Sequence, residues 1–208
     1  MTNKAGAAIT GAATAAVALT LAACGERETA APAEQAAVRT AMSATARSGA
    51  TERPRGVIED CSTRSEATFP HAYSDPANLV VGPLVLRGAA YTPASTVRQF
   101  GGDKFPVLVA AGHEVTVELS PRTRQVAGLA YGPLPQGEVR LRDAHRVVTF
   151  IACRRGEPSG SRADRRPVTF WSGFVLTRSP RCVPLRVWVD AERSPRRAVL
   201  RMGVRRCT

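Results

Sequence analysis

From residue 56 onward the chain never sustains apolar residues at i, i+3, i+4 and i+7 over ten positions, and this missing helical stripe confines it to strands and turns. Val115-Thr116-Val117-Glu118-Leu119 alternates apolar with polar, as a half-buried strand does. Val107-Leu108-Val109 precedes it, and Ala111-Gly112-His113-Glu114 between them reads as a hairpin turn. Further strand candidates are residues 79–86, 125–130, 146–153, 168–177, 183–190 and 198–205. Asp75-Pro76, Gly101-Gly102-Asp103, Gly132-Pro133-Leu134-Pro135 and Ser194-Pro195 punctuate the gaps. Seven to nine short strands spaced by turns predict an all-β chain folded as a β-sandwich, with a small closed barrel as the alternative.

The segment 105–119 resembles a hairpin common in exported β-sandwiches, among them cupredoxin-like and immunoglobulin-like domains. That resemblance covers fifteen residues and bears on architecture alone.

The amino-terminal end has a different composition. A lysine at position 4 is followed by residues 5–23, which carry no charge and are mostly Ala, Gly and Thr. A basic tip, an apolar stretch and small residues form an export signal. The stretch is long enough to raise a retained membrane helix, but alanine and glycine contribute little transfer free energy. Leu21-Ala22-Ala23-Cys24 resembles the lipobox of bacterial lipoproteins. The resemblance implies cleavage before Cys24 and a diacylglyceryl group on its thiol. An ordinary cleaved signal is the other possibility. One acyl chain holds a protein to a membrane only marginally, so a diacyl group is what stable attachment needs. Residues 24–55 contain only Val38 and Met42 as larger apolar side chains and cannot offset the entropy of ordering; they read as a tether. The remaining stretch, residues 56–208, has the size of one domain.

Within that domain stand Cys61, Cys153, Cys182 and Cys207, an even number in an exported chain. They are separated by 92, 29 and 25 positions, whereas zinc ligands pair at short spacing. Two disulfides are therefore expected. If 146–153, 168–177, 183–190 and 198–205 run up and down in series, Cys153 and Cys182 lie at opposite ends of the sheet, beyond bonding reach. Cys182 and Cys207 flank the last hairpin at one end. The pairing expected is Cys182–Cys207 and Cys61–Cys153, an argument that a Greek-key crossover would undo.

The formal charge is +12, with Lys4 and Lys104 as the only lysines. Residues 146–208 hold fifteen arginines against Glu157, Asp164, Asp190 and Glu192. Buried unpaired charge is prohibitively costly, so these arginines have to lie largely outside. Alternation in the final hairpin puts Arg186, Arg197, Arg201 and Arg205 on one side, with Val183, Leu185, Val187, Leu200 and Met202 on the other. A face of one sign attracts anions, and the arginine fork suits phosphate or carboxylate. A merely solvated basic face is the plainer reading. Nucleic acid matches the charge but is not expected as the partner of an exported protein. Trp171 and Trp188 alternate out of phase with Phe170/Phe174 and Val187/Val189. If the latter face the core, both tryptophans face outward beside Arg186, near Arg201 and Arg205, unless a loop covers them or that face is the second core side of a sandwich edge, which the usual burial of large aromatics favours.

The search for chemistry yields little. A blue-copper site needs two His and a Cys with a weak axial ligand, often Met. Here every domain cysteine is assigned to a disulfide and Met202 is the one domain methionine, so no metal or other cofactor is expected. His71, His113 and His145 belong to no metal-binding motif, and the Ser159-Gly160-Ser161 and Trp171-Ser172-Gly173 fragments are not nucleophile elbows. The sequence thus leads to a non-enzymatic lipoprotein on the extracytoplasmic face of the cell membrane. Its disulfide-stapled sandwich would bind or support, in contact with anionic lipid or wall polymer. The competing class is a cell-envelope hydrolase whose catalytic residues no motif identifies. Replacing Cys24 with Ala is expected to leave an uncleaved or released precursor; a mature native protein with a free amino-terminal cysteine that partitions into water would contradict lipidation.

Overall fold

A computed structural model of the chain describes residues 52–134 and 137–207. Cys24, the expected signal and all but the last residues of the expected tether lie outside these residues.

Among the described residues, fourteen strands form three sheets. The first runs in the order β1 (Val57–Glu59), β9 (Val147–Ile151), β7 (Glu114–Leu119), β13 (Arg181–Val189), β14 (Arg196–Met202). The second runs β2 (Thr68–Phe69), β10 (Ser161–Ala163), β11 (Arg166–Trp171), β6 (Val107–Ala110), β4 (Leu84–Leu86), β3 (Leu79–Val81). The third is β5 (Gly102–Lys104), β12 (Phe174–Thr177), β8 (Ala127–Ala130). One α-helix, α1 (Ala94–Phe100), interrupts them; at seven residues it is too short to show as a stripe in sequence, and Gly101 at φ 66° ends it. The fold is all-β, a sandwich stapled by two disulfides. Eight strands run four residues or more, and the additional ones, two or three residues long, are too short to display a period.

The first and second sheets pack face to face. Val115, Val117 and Leu119 of β7, Leu185 and Val187 of β13 and Leu200 of β14 share one cluster with Leu84 and Leu86 of β4 and Val107 and Val109 of β6. The second sheet is buried on its other side too. Val85, Leu108 and Val168 lie there with Phe69, Ala72 and Ala163. That is why Leu84-Val85-Leu86 and Val107-Leu108-Val109 are unbroken apolar runs, whereas buried and exposed residues alternate along β14.

The connection over 111–114 is not a hairpin. β6 belongs to the second sheet and β7 to the first, so Ala111-Gly112-His113 carries the chain across the core from one layer to the other. Residues 168–177 likewise divide into β11 and β12. Yet the pairing keeps one register: Val168 opposes Ala110, Trp171 opposes Val107, Phe174 opposes Lys104 and Leu176 opposes Gly102. The second and third sheets are therefore joined by a continuous two-stranded ribbon bent at Phe105-Pro106 and Ser172-Gly173. Proline lacks the N–H that a flat ladder requires there. Across the bend the Phe105 amide donates to the Gly173 carbonyl at 3.0 Å. The Tyr131 hydroxyl donates to the Phe105 carbonyl at 2.7 Å. A β-carbon at position 173 would strike the Tyr131 ring, so glycine is required at the bend.

The up-and-down series 146–153, 168–177, 183–190, 198–205 does not exist; only β13 and β14 are neighbours as supposed. The disulfides nevertheless join Cys61 to Cys153 and Cys182 to Cys207, with Cα–Cα distances of 4.8 and 5.7 Å. The physical reason for the first differs from the one anticipated. β1 lies parallel to β9, so the cysteines just beyond Glu59 and Ile151 emerge at the same end of the sheet. Cys182 and Cys207 do flank a hairpin.

Both tryptophans are 1% exposed, so the covered reading holds and they form no outward pair. Trp171 is itself in the main core, 5.3 Å from the Phe150 ring, and its indole N–H donates to the Asp60 carbonyl at 3.1 Å. Trp188 does lie on the side of the first sheet away from the core, but covered, its N–H 3.4 Å from Glu118 Oε2. The two disulfides close loops of 92 and 25 residues. Loop-closure entropy then makes loss of Cys61–Cys153 the costlier by about 1 kcal/mol, each loss being about 2–4 kcal/mol. Urea midpoints of the two double-alanine variants measure this; the reverse order would show that strain or residual structure dominates.

Candidate functional site

Of the expected arginine face, Arg186, Arg197 and Arg201 lie on the terminal hairpin, whereas Arg205 follows β14, which ends at Met202 and not at residue 205; pairing decides which of them are free. Arg186 stands directly opposite Arg197, and Arg201 opposite Cys182. The intervening Ala198, Leu200 and Met202 point into the core. Like charges facing each other across a ladder are destabilising. On its other side, however, Arg186 opposes Glu118 of β7. Its guanidinium reaches Glu118 Oε2 at 3.5 Å. Arg124 pairs with Glu118 Oε1. Glu118 is 2% exposed, so two arginines and the Trp188 N–H together satisfy a carboxylate that could not be buried alone.

Arg201 is committed as well. Its Nε donates to the Ala90 carbonyl at 2.6 Å and its Nη1 to the Arg205 carbonyl at 3.2 Å. The four arginines thus divide into two that hold structure, Arg186 and Arg201, and two exposed ones, Arg197 and Arg205. Neither of the latter has a carboxylate partner among the described residues. Val199, 40% exposed, sits between Arg197 and Arg201 on β14, the edge strand. Across 146–208, only Arg186 and Arg196 pair with a carboxylate among the described residues, Arg196 with Glu192 at 2.5 Å. Arg166 instead lies over the Tyr73 ring at 5.3 Å.

Glu118 and Arg124 are the participants that sequence reasoning missed. Glu118 reads there as an ordinary outward residue of β7. Only the register that sets it beside Arg186 reveals its role.

The histidines serve separate places. His113 Nδ1 lies 2.8 Å from Asp190 Oδ2, while Asp190 Oδ1 accepts the Glu114 amide at 2.9 Å. Burial alone would raise the Asp190 carboxyl; the Glu114 amide and His113 outweigh it and hold the group below its ordinary value. Arg53 closes this corner with a 2.7 Å ion pair to Glu114. His71 occupies a turn at φ 60°. His145 pairs with Leu129 through backbone hydrogen bonds of 2.8 and 2.9 Å. Among the described residues, the group of His, Cys, Asp and Glu atoms close enough to suit a metal is Cys61, Cys153 and Glu157, and both of its sulfurs are in a disulfide.

The serine fragments are built into the loop they occupy. Ser159 Oγ donates to the Ser161 carbonyl at 3.1 Å, and Ser161 Oγ accepts the Ala67 amide at 3.0 Å. Among the described residues no helix is long and apolar enough to cross a membrane.

One buried acid stands apart. Glu59, at the end of β1, is 4% exposed, and its Oε1 has no hydrogen-bond partner among the described residues. Burial raises its carboxyl above the ordinary glutamate value; the Thr63 hydroxyl and His145 offset part of the effect, and Asp60 adds to it. His145 Nε2 is also buried without a partner among the described residues. Because the folded-state pKa of Glu59 is raised, its contribution to stability is full below the unfolded glutamate pKa and is lost as pH rises through the folded value. Glu59→Gln is therefore expected to melt higher than the parent at neutral pH, with the gap closing toward acid. A gap that stays constant with pH, measured by thermal melts, would contradict a raised Glu59.

No family model, curated protein or solved structure matches the chain, so the use of this arginine face has to be argued from its own chemistry.

Proposed function

We propose that the chain is an exported, lipid-anchored binding protein whose β13–β14 face engages anionic lipid or wall polymer at the cell envelope. The observation that carries this reading is the presence of Arg197 and Arg205 at the surface, unpaired among the described residues, beside two arginines already held in place. A free guanidinium offers a planar fork that takes two oxygens of a phosphate or carboxylate. Arg186, fixed by Glu118, adds its field to that of Arg197 across the ladder without leaving its ion pair. Arginines on an edge strand also discourage pairing with another chain, a second use compatible with the first. No acid of the first sheet's outer face is left to neutralise Arg197: Glu118 is taken by Arg124 and Arg186, and Glu114 by Arg53.

Binding of the detergent-solubilised protein to purified wall, and to nanodiscs of anionic or zwitterionic lipid, tests the reading and separates the two sources of anion. Binding is expected to fall steeply with salt. Each arginine near an anionic surface contributes about 1 kcal/mol, so Arg197→Gln with Arg205→Gln is expected to weaken binding roughly thirtyfold at low salt. Arg142→Gln, also well exposed but outside the hairpin, serves as the control. Equal binding by the double variant, or none by the parent at low salt, would leave only a solvated basic surface.

A further inference from the structure

The third sheet turns Val175 and Leu129 to the main core, which leaves Phe174 and Leu176 on its opposite face. There they meet Phe100, the last residue of α1, and Val139 across a recess of about 460 Å3. That volume lies within the range of small-molecule sites, about 300–1,000 Å3. Phe100 is 68% exposed and Phe174 38%, so two large rings that line the recess remain partly in water.

The polar rim is asymmetric. Lys104, directly opposite Phe174 in the ladder, is the one cation among the described residues that line the recess. Its ammonium has no carboxylate partner among the described residues. The two neighbouring acids are otherwise engaged: Asp103 accepts the Thr92 hydroxyl at 3.0 Å and the Lys104 amide at 2.8 Å, and Glu138 faces Arg140 at 3.5 Å. An apolar trough with one free cation at its rim is complementary to an apolar chain ending in one negative charge.

We propose that this trough binds a free single-chain amphiphile with an anionic head, such as a fatty acid, the chain lying over Phe174 and Leu176 against Phe100 and the head at the Lys104 ammonium. Phe100, Phe174 and Leu176 line one recess, so a single chain laid in it can touch all three. The site is independent of the arginine face and shares no residue with it.

Isolated membranes carrying the full chain are exposed to a long-chain fatty acid with a photoreactive diazirine in mid-chain, and the labelled peptides are mapped. Label is expected on the peptides holding Phe100 and Phe174. Unmodified fatty acid is expected to compete about tenfold better than the corresponding fatty alcohol, the worth of about 1.4 kcal/mol. Lys104→Gln erases that preference, and Phe100→Ser lowers labelling by both. Both side chains are exposed, and intact disulfides in each variant show that folding is kept. Label confined to Phe100 and not competed by free fatty acid means bilayer contact and overturns the proposal. So does labelling unchanged in Phe100→Ser, or a preference for the acid that survives Lys104→Gln.

Discussion

The bend in the β6–β11 ribbon is the constraint on which the rest of the architecture hangs. Two strands leave the second sheet together, change direction at Pro106 and Gly173, and enter the third as β5 and β12 without losing register. The Phe105 amide and the Tyr131 hydroxyl hold the corner from both sides. Tyr131 is 1% exposed and stacks edge-on to Phe150, so the corner is continuous with the core of the first sheet. Straighten it, and β8 loses its partner while the face bearing Phe174 and Leu176 disappears.

The periphery is organised by a different rule, the satisfaction of charge. Glu118 is buried on the outer face because Arg124, Arg186 and Trp188 converge on it. That convergence spends Arg186 and leaves Arg197 unmatched. The free cations of the hairpin are thus a by-product of how one acid was made tolerable, and they remain at the surface because nothing inside can neutralise them.

Much of this is legible in the chain and some is not, for identifiable reasons. The alternation in β14 announces which side is buried, since period two survives wherever one face meets water; in β7 it persists although Thr116 and Glu118 are buried too, because their polar atoms find partners there. The runs 84–86 and 107–109 announce full burial but not which sheets provide it. The turn at 111–114 reads as a hairpin because local sequence does not say whether the strands it joins pair or cross the core. The disulfide partners follow from the idea that cysteines bond at a shared sheet end, even though the strand order assumed for it is not the observed one. Parallel pairing of β1 with β9, a contact between residues about ninety positions apart, leaves no local mark. Separations of 68 and 70 positions likewise hide Glu118 from Arg186 and Lys104 from Phe174. The alternation that placed Trp188 away from the core was sound, but burial there comes from long-range cover that no period records.

The position of Cys61 bears on how the molecule answers force. A pull from the amino-terminal side reaches the domain through Glu52 and β1, and β1 is held to β9 by only three residue pairs. Those pairs can peel. The load then arrives at Cys61, and a covalent bond passes it to Cys153 beyond the end of β9. The ninety residues between the two cysteines are bypassed, so tension cannot draw β2 through β9 out of the sandwich. At the far end, Cys182–Cys207 ties off the last hairpin in the same way. Of the strands that precede Cys153, only the first is left free to yield to a tug from the entry side, and it can re-pair with a β9 that the bond has kept in place.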